Sequence, residues 1–323
     1  MDYTKKRIQG VRVTNNMIGH GSVSVVLEGF TSRDNERVAV KFINPDKYTR
    51  RDFDNEIEIL RRLGGRYAPR LISYALPDTV RREEHHRANR DYAIAMEYVS
   101  GIHLSELKKY MKTREVAKFV VSSLIRAVAY MHANGVYHRD IQLSNAILSE
   151  GRVKMVDFGV GCLYSEHSCS NKYGSLVSYS PELGVSMEES VVPNDVWGLA
   201  DAWSLGLAIY EFMTGTSYYS GVSAIRMVSG EFINTRGVPR LASRIQIVDT
   251  VANGLLTVDP QQRMTVLEAL SVMDEAYTCK INGHTVPEIQ LRRMIADANI
   301  EGELTSYEAC REMNDLNVYQ RNF

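Results

Sequence analysis

The sequence predicts an α+β protein of two lobes, in which a small antiparallel β-sheet with one helix precedes a larger, mostly α-helical part. Through about residue 95 the apolar residues alternate as in β-strands, whereas beyond Gly101 they recur with the 3.6-residue period of helices. The 323 residues correspond to roughly two units of about 150 residues each. Two lobes imply a cleft between them in which a ligand can bind.

The N-terminal lobe is placed at about residues 10–99 by its strand patterns. One helix interrupts the strands, running from Asp52 to Leu63 and ending at Gly64. The strand stretches are Val11–Val13, Val23–Leu27, Arg37–Ile43 and Tyr92–Met96.

The C-terminal lobe is placed at about residues 100–275 and begins with a long helix whose apolar face runs from Val116 to Met131. Further helices are predicted at Trp203–Thr214, Ile245–Leu256 and Val266–Met273. The two lobes make one domain over residues 1–275. Helical spacing from Ile289 to Ile295 predicts a C-terminal helical extension over residues 276–323, which packs on the helical lobe or docks a partner.

The charge balance excludes a general attraction to polyanions. The chain has 38 Lys and Arg against 39 Asp and Glu, a net charge of −1 and a pI of about 6.7. No positive field exists to hold DNA, RNA or an anionic membrane. The polar run Arg81–Arg87 is interpreted as a solvated hairpin loop, so we expect no nucleic-acid partner.

Cysteine usage and the N-terminus favour a cytoplasmic location. The chain has four cysteines: Cys162, Cys169, Cys279 and Cys310. They form no CxxC pair, which favours free thiols. Residues 1–7 lead into no apolar signal core, and Asp2 stands where myristoylation needs Gly. The apolar stretch Phe119–Met131 carries Arg126 and is too short to span a bilayer, so we expect no membrane association.

A glycine turn is the first feature that indicates phosphate binding. Gly19 and Gly21 lie between two strand patterns, because β-branched residues rather than a helix follow them. A glycine hairpin of this kind can cover phosphates and offer backbone N–H groups to them.

Lys41 lies in the predicted strand, in the run Val38-Ala39-Val40-Lys41, and the next helix supplies Glu56. A carboxylate can hold a half-buried ammonium in place so that it binds phosphate oxygens. Asp54 and Glu58 are alternative partners, although their positions favour the helix surface.

Two motifs follow the long helix. Residues 138–145 have the sequence His-Arg-Asp-Ile-Gln-Leu-Ser-Asn, and Asp157-Phe158-Gly159 comes twelve residues after Asn145 (157 − 145). With the glycine turn and the Lys41 strand, this ordered set resembles a eukaryotic-type protein kinase, most similar to the serine/threonine kinases. The resemblance runs from about Val11 to Met273 and implies the bilobal kinase fold, with Asp52–Leu63 as helix αC.

The resemblance implies an enzyme that uses ATP and Mg²⁺ to phosphorylate protein substrates. Asp140, Lys41 and Glu56 are then catalytic: Asp140 orients the substrate hydroxyl, and Lys41, fixed by Glu56, orients the α- and β-phosphates. Asn145 and Asp157 hold the metal. The implied nucleotide-binding residues are Ile18, Gly19, Gly21, Ser24, Val26, Ala39, Lys41, Met96, Glu97, Val99 and Ile147.

Three later elements match the family's C-terminal lobe. Ser180-Pro181-Glu182 is similar to its APE element, and Asp201–Gly206 is similar to its DxWSxG element. The resemblance implies that Asp201 braces the catalytic loop and that Glu182 pairs with Arg263.

Two residues depart from the family pattern. Ser24 replaces the third glycine of the loop with another small residue. Gln142 stands where serine/threonine kinases place a lysine that contacts the γ-phosphate, and it brings no charge. The sequence therefore predicts a slow kinase, or one in which a basic group such as Lys172 compensates.

Residues 174–182 resemble the run that precedes the APE element in serine/threonine kinases, which favours hydroxyls of Ser and Thr as acceptors. In the family, Arg139 is the partner of a phosphate in the segment between Asp157 and Glu182, and Ser170 is the best-placed acceptor. Solvated serines are the alternative. A disulfide between Cys162 and Cys169 is conceivable, although free thiols are expected.

The main alternative is a pseudokinase that signals through its shape, and Gln142 is its support. A kinase of small metabolites is a weaker alternative, because the C-terminal elements build the platform associated with protein substrates. The divergent motifs resemble kinases of large DNA viruses, for which the location is the host cytoplasm. The sequence does not determine the oligomeric state.

Overall fold

The N-terminal lobe is an antiparallel sheet of five strands. The computed structural model describes residues 3–5, 8–77, 91–108, 113–164, 179–185, 194–222, 233, 237–276, 278–281 and 284–287. The strands are β1 (Val11–His20), β2 (Ser24–Thr31), β3 (Arg37–Ile43), β4 (Leu71–Ala75) and β5 (Tyr92–Glu97), in the order β1-β2-β3-β5-β4. The central strand β3 is buried, with Val38 and Val40 fully inside, so its inward residues have fixed positions.

Helix α1 (Arg50–Leu63) packs on this sheet because both its ends and one face are specified locally. Thr49 and Asp52 form a capping box, and Gly64 ends the helix with a left-handed φ of 61°. Phe53 and Ile57 belong to its buried face. The capping box fixes where the helix begins and hence which residues face the sheet.

The C-terminal lobe is mostly helical in the described ranges. Its helices are α2 (Leu104–Leu107), α3 (Arg114–Ala133), α4 (Pro181–Val185), α5 (Asn194–Thr214), α6 (Gln246–Leu255) and α7 (Val266–Ala276). Short strands β6 (Ile102–His103), β8 (Ala146–Ser149) and β9 (Arg152–Met155) form one sheet, and β7 (Val136–Tyr137) pairs with β10 (Cys162–Leu163). These strands carry the loops that face the N-terminal lobe. The α+β fold class and its two-lobe order are confirmed.

The long helix α3 is longer than the sequence predicts. It spans 20 residues, and by length and composition alone it is long and apolar enough to cross a membrane, which corrects the expectation that this stretch is too short. The apolar stretch considered in the sequence begins only at Phe119, whereas the helix begins directly after its N-cap Thr113 and therefore has an additional first turn. Ten of its residues are buried, and it packs against α7 and β9, as a core helix does.

The predicted C-terminal helical extension is wrong at its start. Strands β11 (Thr278–Ile281) and β12 (His284–Pro287) form an antiparallel hairpin there. The intervening dipeptide is Asn282-Gly283, the sequence most typical of two-residue hairpin turns, so the local sequence favours a hairpin here over a helix. The apolar run Ile289–Ile295 and the polar run Arg81–Arg87 lie outside the described residues.

Cys162 is disulfide-bonded, contrary to the expectation of free thiols. It is buried on β10, at 4% exposure. The side chains of the other three cysteines are not among those described. Sequence spacing could not show this, because it gives no distance between thiols.

Candidate active site

Lys41 and Glu56 form a buried ion pair where β3 meets α1. Lys41 Nζ lies 2.7 Å from Glu56 Oε1, and the two side chains are 7% and 2% exposed. Strand register sets Lys41 opposite Val26 on β2 and Ile94 on β5, so the β3 backbone aims the ammonium at the cleft. The predicted partner Glu56 is correct, while Asp54 instead pairs with Arg50 on the helix surface.

Asp157 completes a triad with this pair. Its Oδ1 lies 2.8 Å from Lys41 Nζ, and its backbone adopts a left-handed φ of 64°, which turns the chain after β9. Burial lowers the pKa of Lys41, but Glu56 and Asp157 raise it by more, so the pKa is raised overall. Lys41 in turn lowers the pKa of Asp157. The ammonium therefore stays charged between two carboxylates.

The glycine turn is a hairpin between β1 and β2, as predicted. Gly19 pairs with Val26 in the register of these strands. At the tip, the Gly21 N–H donates to the carbonyl of Ser24 at 2.8 Å. Ile18 and Gly19 are in β1, so the hairpin carries the predicted nucleotide-binding residues on the strand pair adjacent to Lys41.

The predicted adenine-binding residues come from both lobes. Ala39 pairs with Met96 across β3 and β5, and Ile147 lies on β8 of the lower lobe. The N–H of Glu97 donates to the carbonyl of Arg70 at 2.9 Å, so this N–H is not available to a ligand. The resemblance implies that backbone groups of Glu97 and Val99 pair with the adenine edge, and this stays a prediction.

Asp140 is held in the catalytic loop by two neutral amides. Its Oδ2 accepts from Asn145 Nδ2 at 2.8 Å and from Gln142 Nε2 at 3.0 Å, while its buried Oδ1 receives no hydrogen bond from any described residue. Burial raises the pKa of Asp140, although His138 and the two amides lower it in part. One carboxylate oxygen is thus fixed by amides, and the other is enclosed without a hydrogen bond from the described residues.

Asp201 braces this loop from below. It accepts from the backbone N–H groups of His138 and Arg139, both at 2.8 Å, and its Oδ2 lies 3.1 Å from His132 Nε2. Because Asp201 is buried in α5, it ties the backbone before Asp140 to the helical core. The bracing role that the resemblance implied for Asp201 agrees with this geometry.

Glu182 and Arg263 form the ion pair that the resemblance implied. The Arg263 guanidinium donates to both carboxylate oxygens of Glu182, at 2.6 and 2.8 Å, and also to the carbonyls of Leu199 and Thr257. The bidentate pair links α4 to α5 and to the loop after α6.

Asn145 and Asp157 are suited to hold a magnesium ion together with phosphates. The Val156 N–H donates to the carbonyl of Asn145 at 2.9 Å, which places Asn145 beside the residue preceding Asp157. Amide and carboxylate oxygens are ligands that Mg²⁺ prefers. Within the described ranges no group of three or more His, Cys, Asp or Glu could hold a metal ion, so a cation here needs further oxygens, which a polyphosphate supplies.

Arg139 stacks on Trp197, with the guanidinium carbon 3.9 Å from the ring centroid. Burial lowers the pKa of Arg139 to about 10, so it remains charged at neutral pH. Ser170 and Lys172 lie outside the described residues, so the predictions that concern them stay predictions.

Tyr48 and Asn55 also reach the site, and the sequence analysis missed both. Tyr48 contacts Glu56 and the segment after Asp157, and Asn55 Nδ2 donates to the carbonyl of Gly161 at 2.6 Å. No local pattern marks them, because their partners Gly159 and Gly161 are more than a hundred residues away in the chain.

These features together define a protein kinase. They are a glycine hairpin next to a lysine–glutamate pair, an aspartate in the catalytic loop, and a second aspartate that contacts the lysine. The family model of the protein kinase domain matches residues 12–274, and the chain belongs to this family. Kinases of this family generally use ATP and Mg²⁺.

Relatives from fungi, animals and plants are similar over most of this chain. Serine/threonine-protein kinase STE20 of Candida glabrata is 27% identical over 289 residues, which cover 86% of this chain and 29% of that protein. Serine/threonine-protein kinase PAK mbt of Drosophila melanogaster is 28% identical over 266 residues, 79% of this chain and 38% of that protein. CBL-interacting serine/threonine-protein kinase 13 of Arabidopsis thaliana is 27% identical over 264 residues, 79% of this chain and 49% of its own length. The chain thus spans less than half of these relatives.

Proposed function

We propose that this chain transfers the γ-phosphate of Mg-ATP to Ser and Thr hydroxyls of protein substrates. The observation that carries the proposal is Asp140, whose Oδ2 is fixed by two amides while its buried Oδ1 faces no donor among the described residues. The Asp140 carboxylate would orient a substrate hydroxyl and accept its proton. The names of the similar kinases support Ser and Thr as acceptors.

The other residues position the reactants. Lys41, held between Glu56 and Asp157, would bind α- and β-phosphate oxygens, and the glycine hairpin would cover the phosphates with backbone N–H groups. Asn145 and Asp157 would hold Mg²⁺, which neutralises charge on the phosphates when it is bound. These roles need no covalent intermediate on the protein.

The pseudokinase alternative is not favoured, because the triad and the catalytic loop are both assembled. A scaffold has no physical need for a buried lysine between two carboxylates, nor for an aspartate that is only partly hydrogen-bonded. Neutral Gln142 beside Asp140 supports slow phosphate transfer rather than its absence.

The test is transfer of radiolabelled γ-phosphate from Mg-ATP to a mixed protein substrate, followed by identification of the phosphorylated amino acid. We expect phosphoserine and phosphothreonine with the wild-type chain, and a loss of about 10³-fold or more with Asp140→Asn. Activity of Asp140→Asn equal to that of the wild type would contradict the assignment. Label found only on tyrosine would contradict the acceptor class.

A phosphate on Ser170 is proposed to raise activity by pairing with Arg139. The support is that Arg139 remains charged while one face of its guanidinium stacks on Trp197. Full activity of a Ser170→Ala chain, shown by mass spectrometry to be unphosphorylated between residues 157 and 182, would count against this role.

A further inference from the structure

Tyr48 lies where three separate elements meet. It directly precedes the N-cap Thr49 of α1, and its side chain is buried, at 8% exposure. Its hydroxyl oxygen lies 3.0 Å from Glu56 Oε2 and 2.9 Å from the carbonyl oxygen of Gly159. One hydroxyl thus touches the partner of Lys41 and the segment that follows Asp157.

A single proton serves both contacts and a longer third one, since the carbonyl oxygen of Asp52 also lies 3.3 Å from the hydroxyl oxygen. Carboxylate and carbonyl oxygens only accept hydrogen bonds, so the Tyr48 O–H is the donor that lies between them. Burial, and next the nearby Glu56 carboxylate, raise the pKa of Tyr48, so the hydroxyl keeps its proton throughout the physiological range. Without the hydroxyl, the buried Glu56 carboxylate and the Gly159 carbonyl would each lose a hydrogen-bond donor, which is costly for a buried acceptor.

Asn55 makes a second tether between the same elements. Its Nδ2 donates to the carbonyl of Gly161 at 2.6 Å, and Asn55 lies in α1 one residue before Glu56. Both contacted carbonyls belong to glycines at which a side chain would be crowded. A Cβ on Gly159 would lie 3.1 Å from Lys41 Nζ, and one on Gly161 would lie 2.9 Å from Ile59 Cδ1.

We propose that Tyr48 is a positioning residue for phosphate transfer: its hydroxyl, shared by Glu56 and Gly159, couples helix α1 to the Asp157 segment, and Asn55 reinforces that coupling. Lys41 then meets both of its carboxylate partners only when α1 and this segment are docked together. The inference deepens the proposed function and rests on it for the activity measurements below.

Tyr48→Phe removes only the oxygen, so the aromatic ring still packs in the core beside α1. Tyr92→Phe is the matched control, because Tyr92 is a tyrosine of the same lobe, also 8% exposed, that stacks on Phe53 at 4.6 Å. The Tyr92 hydroxyl makes no hydrogen bond within the described ranges. Both variants delete one oxygen from a buried tyrosine next to α1.

The first measurement is steady-state kinetics. We expect Tyr48→Phe to lower kcat about tenfold, the size expected for the loss of one hydrogen bond to a charged group, with less than a twofold change in KM for the protein substrate. Tyr92→Phe should stay within twofold of the wild type. A kcat unchanged by Tyr48→Phe would overturn the proposal.

A double-mutant cycle separates positioning from general packing. If Tyr48 acts through Glu56, adding Tyr48→Phe to Glu56→Ala should cost less than twofold more. A full tenfold loss in that background would mean that Tyr48 acts independently of the lysine–glutamate pair, and the proposal would be wrong.

Amide hydrogen exchange tests the coupling without any reaction. In the nucleotide-free chain, Tyr48→Phe should speed exchange several-fold in peptides that cover α1 and residues 159–161, and Tyr92→Phe should not. Asn55→Ala should act in the same direction as Tyr48→Phe. Unchanged exchange with Tyr48→Phe would refute the coupling even if the wild-type chain failed to transfer phosphate, so failure of the inference and failure of the proposed function remain distinguishable.

Discussion

Lys41 in the N-terminal lobe and Asp140 in the C-terminal lobe are both charged side chains at the cleft, but their partners differ in kind. Lys41 lies within 2.8 Å of two carboxylates, whereas Asp140 receives hydrogen bonds from two neutral amides on one oxygen. The two pKa shifts reflect this difference. Opposite charges outweigh the effect of burial at Lys41, while burial outweighs the effect of the amides and of His138 at Asp140.

The difference matches two tasks. A nucleotide needs a fixed positive charge for its phosphates before it arrives, and a lysine between two carboxylates is fixed and charged without any ligand. An acceptor hydroxyl needs a carboxylate that is not already fully hydrogen-bonded, and only one of the two Asp140 oxygens has donors among the described residues. We therefore expect Lys41 with its two carboxylates to contribute to the stability of the fold as well as to binding. We expect the ionised Asp140 to lower the stability of the folded chain.

The largest expected effect is on the lysine side. Lys41→Met leaves Glu56, which is 2% exposed, buried without its cation, and we expect a loss of about 3–5 kcal/mol in the free energy of unfolding. Activity should be lost in the same variant. Urea denaturation at pH 7 measures the first effect, and transfer of labelled phosphate measures the second.

A second variant sharpens this prediction. Adding Glu56→Gln to Lys41→Met removes the uncompensated charge and should recover most of the lost stability, but none of the activity. Asp54→Asn breaks an exposed pair on the same helix, 53% exposed at the carboxylate, and should change stability by less than about 0.5 kcal/mol. A Lys41→Met chain as stable as the wild type would contradict the view that this pair is a folding element.

The next effect concerns the aspartate side. Gln142 Nε2 lies 3.0 Å from Asp140 Oδ2, so Gln142→Lys would bring a positive charge to the oxygen that is now held only by amides. We expect turnover to rise about tenfold to a hundredfold, since one charged donor is worth that much or more at a developing charge. The lysine should also lower the pKa of Asp140, so that activity persists to lower pH.

Gln142→Met is the control for side-chain length without charge, and it should give no gain. Lys172→Ala tests whether another basic group already supplies the charge. If Gln142→Lys leaves turnover unchanged and Lys172→Ala also has no effect, the neutral Gln142 does not limit the rate.

The sequence predicted the elements whose signals are local. Gly64 marks the end of α1, and alternation marks β3, because burial of one face leaves a direct pattern in the chain. The predicted start of α1 at Asp52 was two residues late, since the helix begins at Arg50 after its N-cap Thr49. The roles of Lys41 and Asp140 came from motifs of fixed order rather than from periodicity. Tyr48 could not be found in this way, because its contact with Gly159 spans 111 positions and leaves no mark on neighbouring residues. The hairpin at Thr278–Pro287 was predictable in principle, since its turn dipeptide is in the sequence.

The smallest expected effect is a gain of stability from loss of the catalytic carboxylate. Burial raises the pKa of Asp140 above its ordinary value of 3.8, so the folded state binds this proton more tightly than the unfolded state does. The stability that this proton provides is present below pH 3.8 and is lost as pH rises through the raised pKa. At pH 7 the ionised Asp140 therefore destabilises the folded chain, and Asp140→Asn should raise Tm by the equivalent of less than about 1 kcal/mol.

The gain should shrink as pH falls toward 3.8, and Asp46→Asn, at an exposed carboxylate, should show no such gain. A Tm of Asp140→Asn at pH 7 equal to or below that of the wild type would show that the ionised Asp140 does not lower the stability of the folded chain.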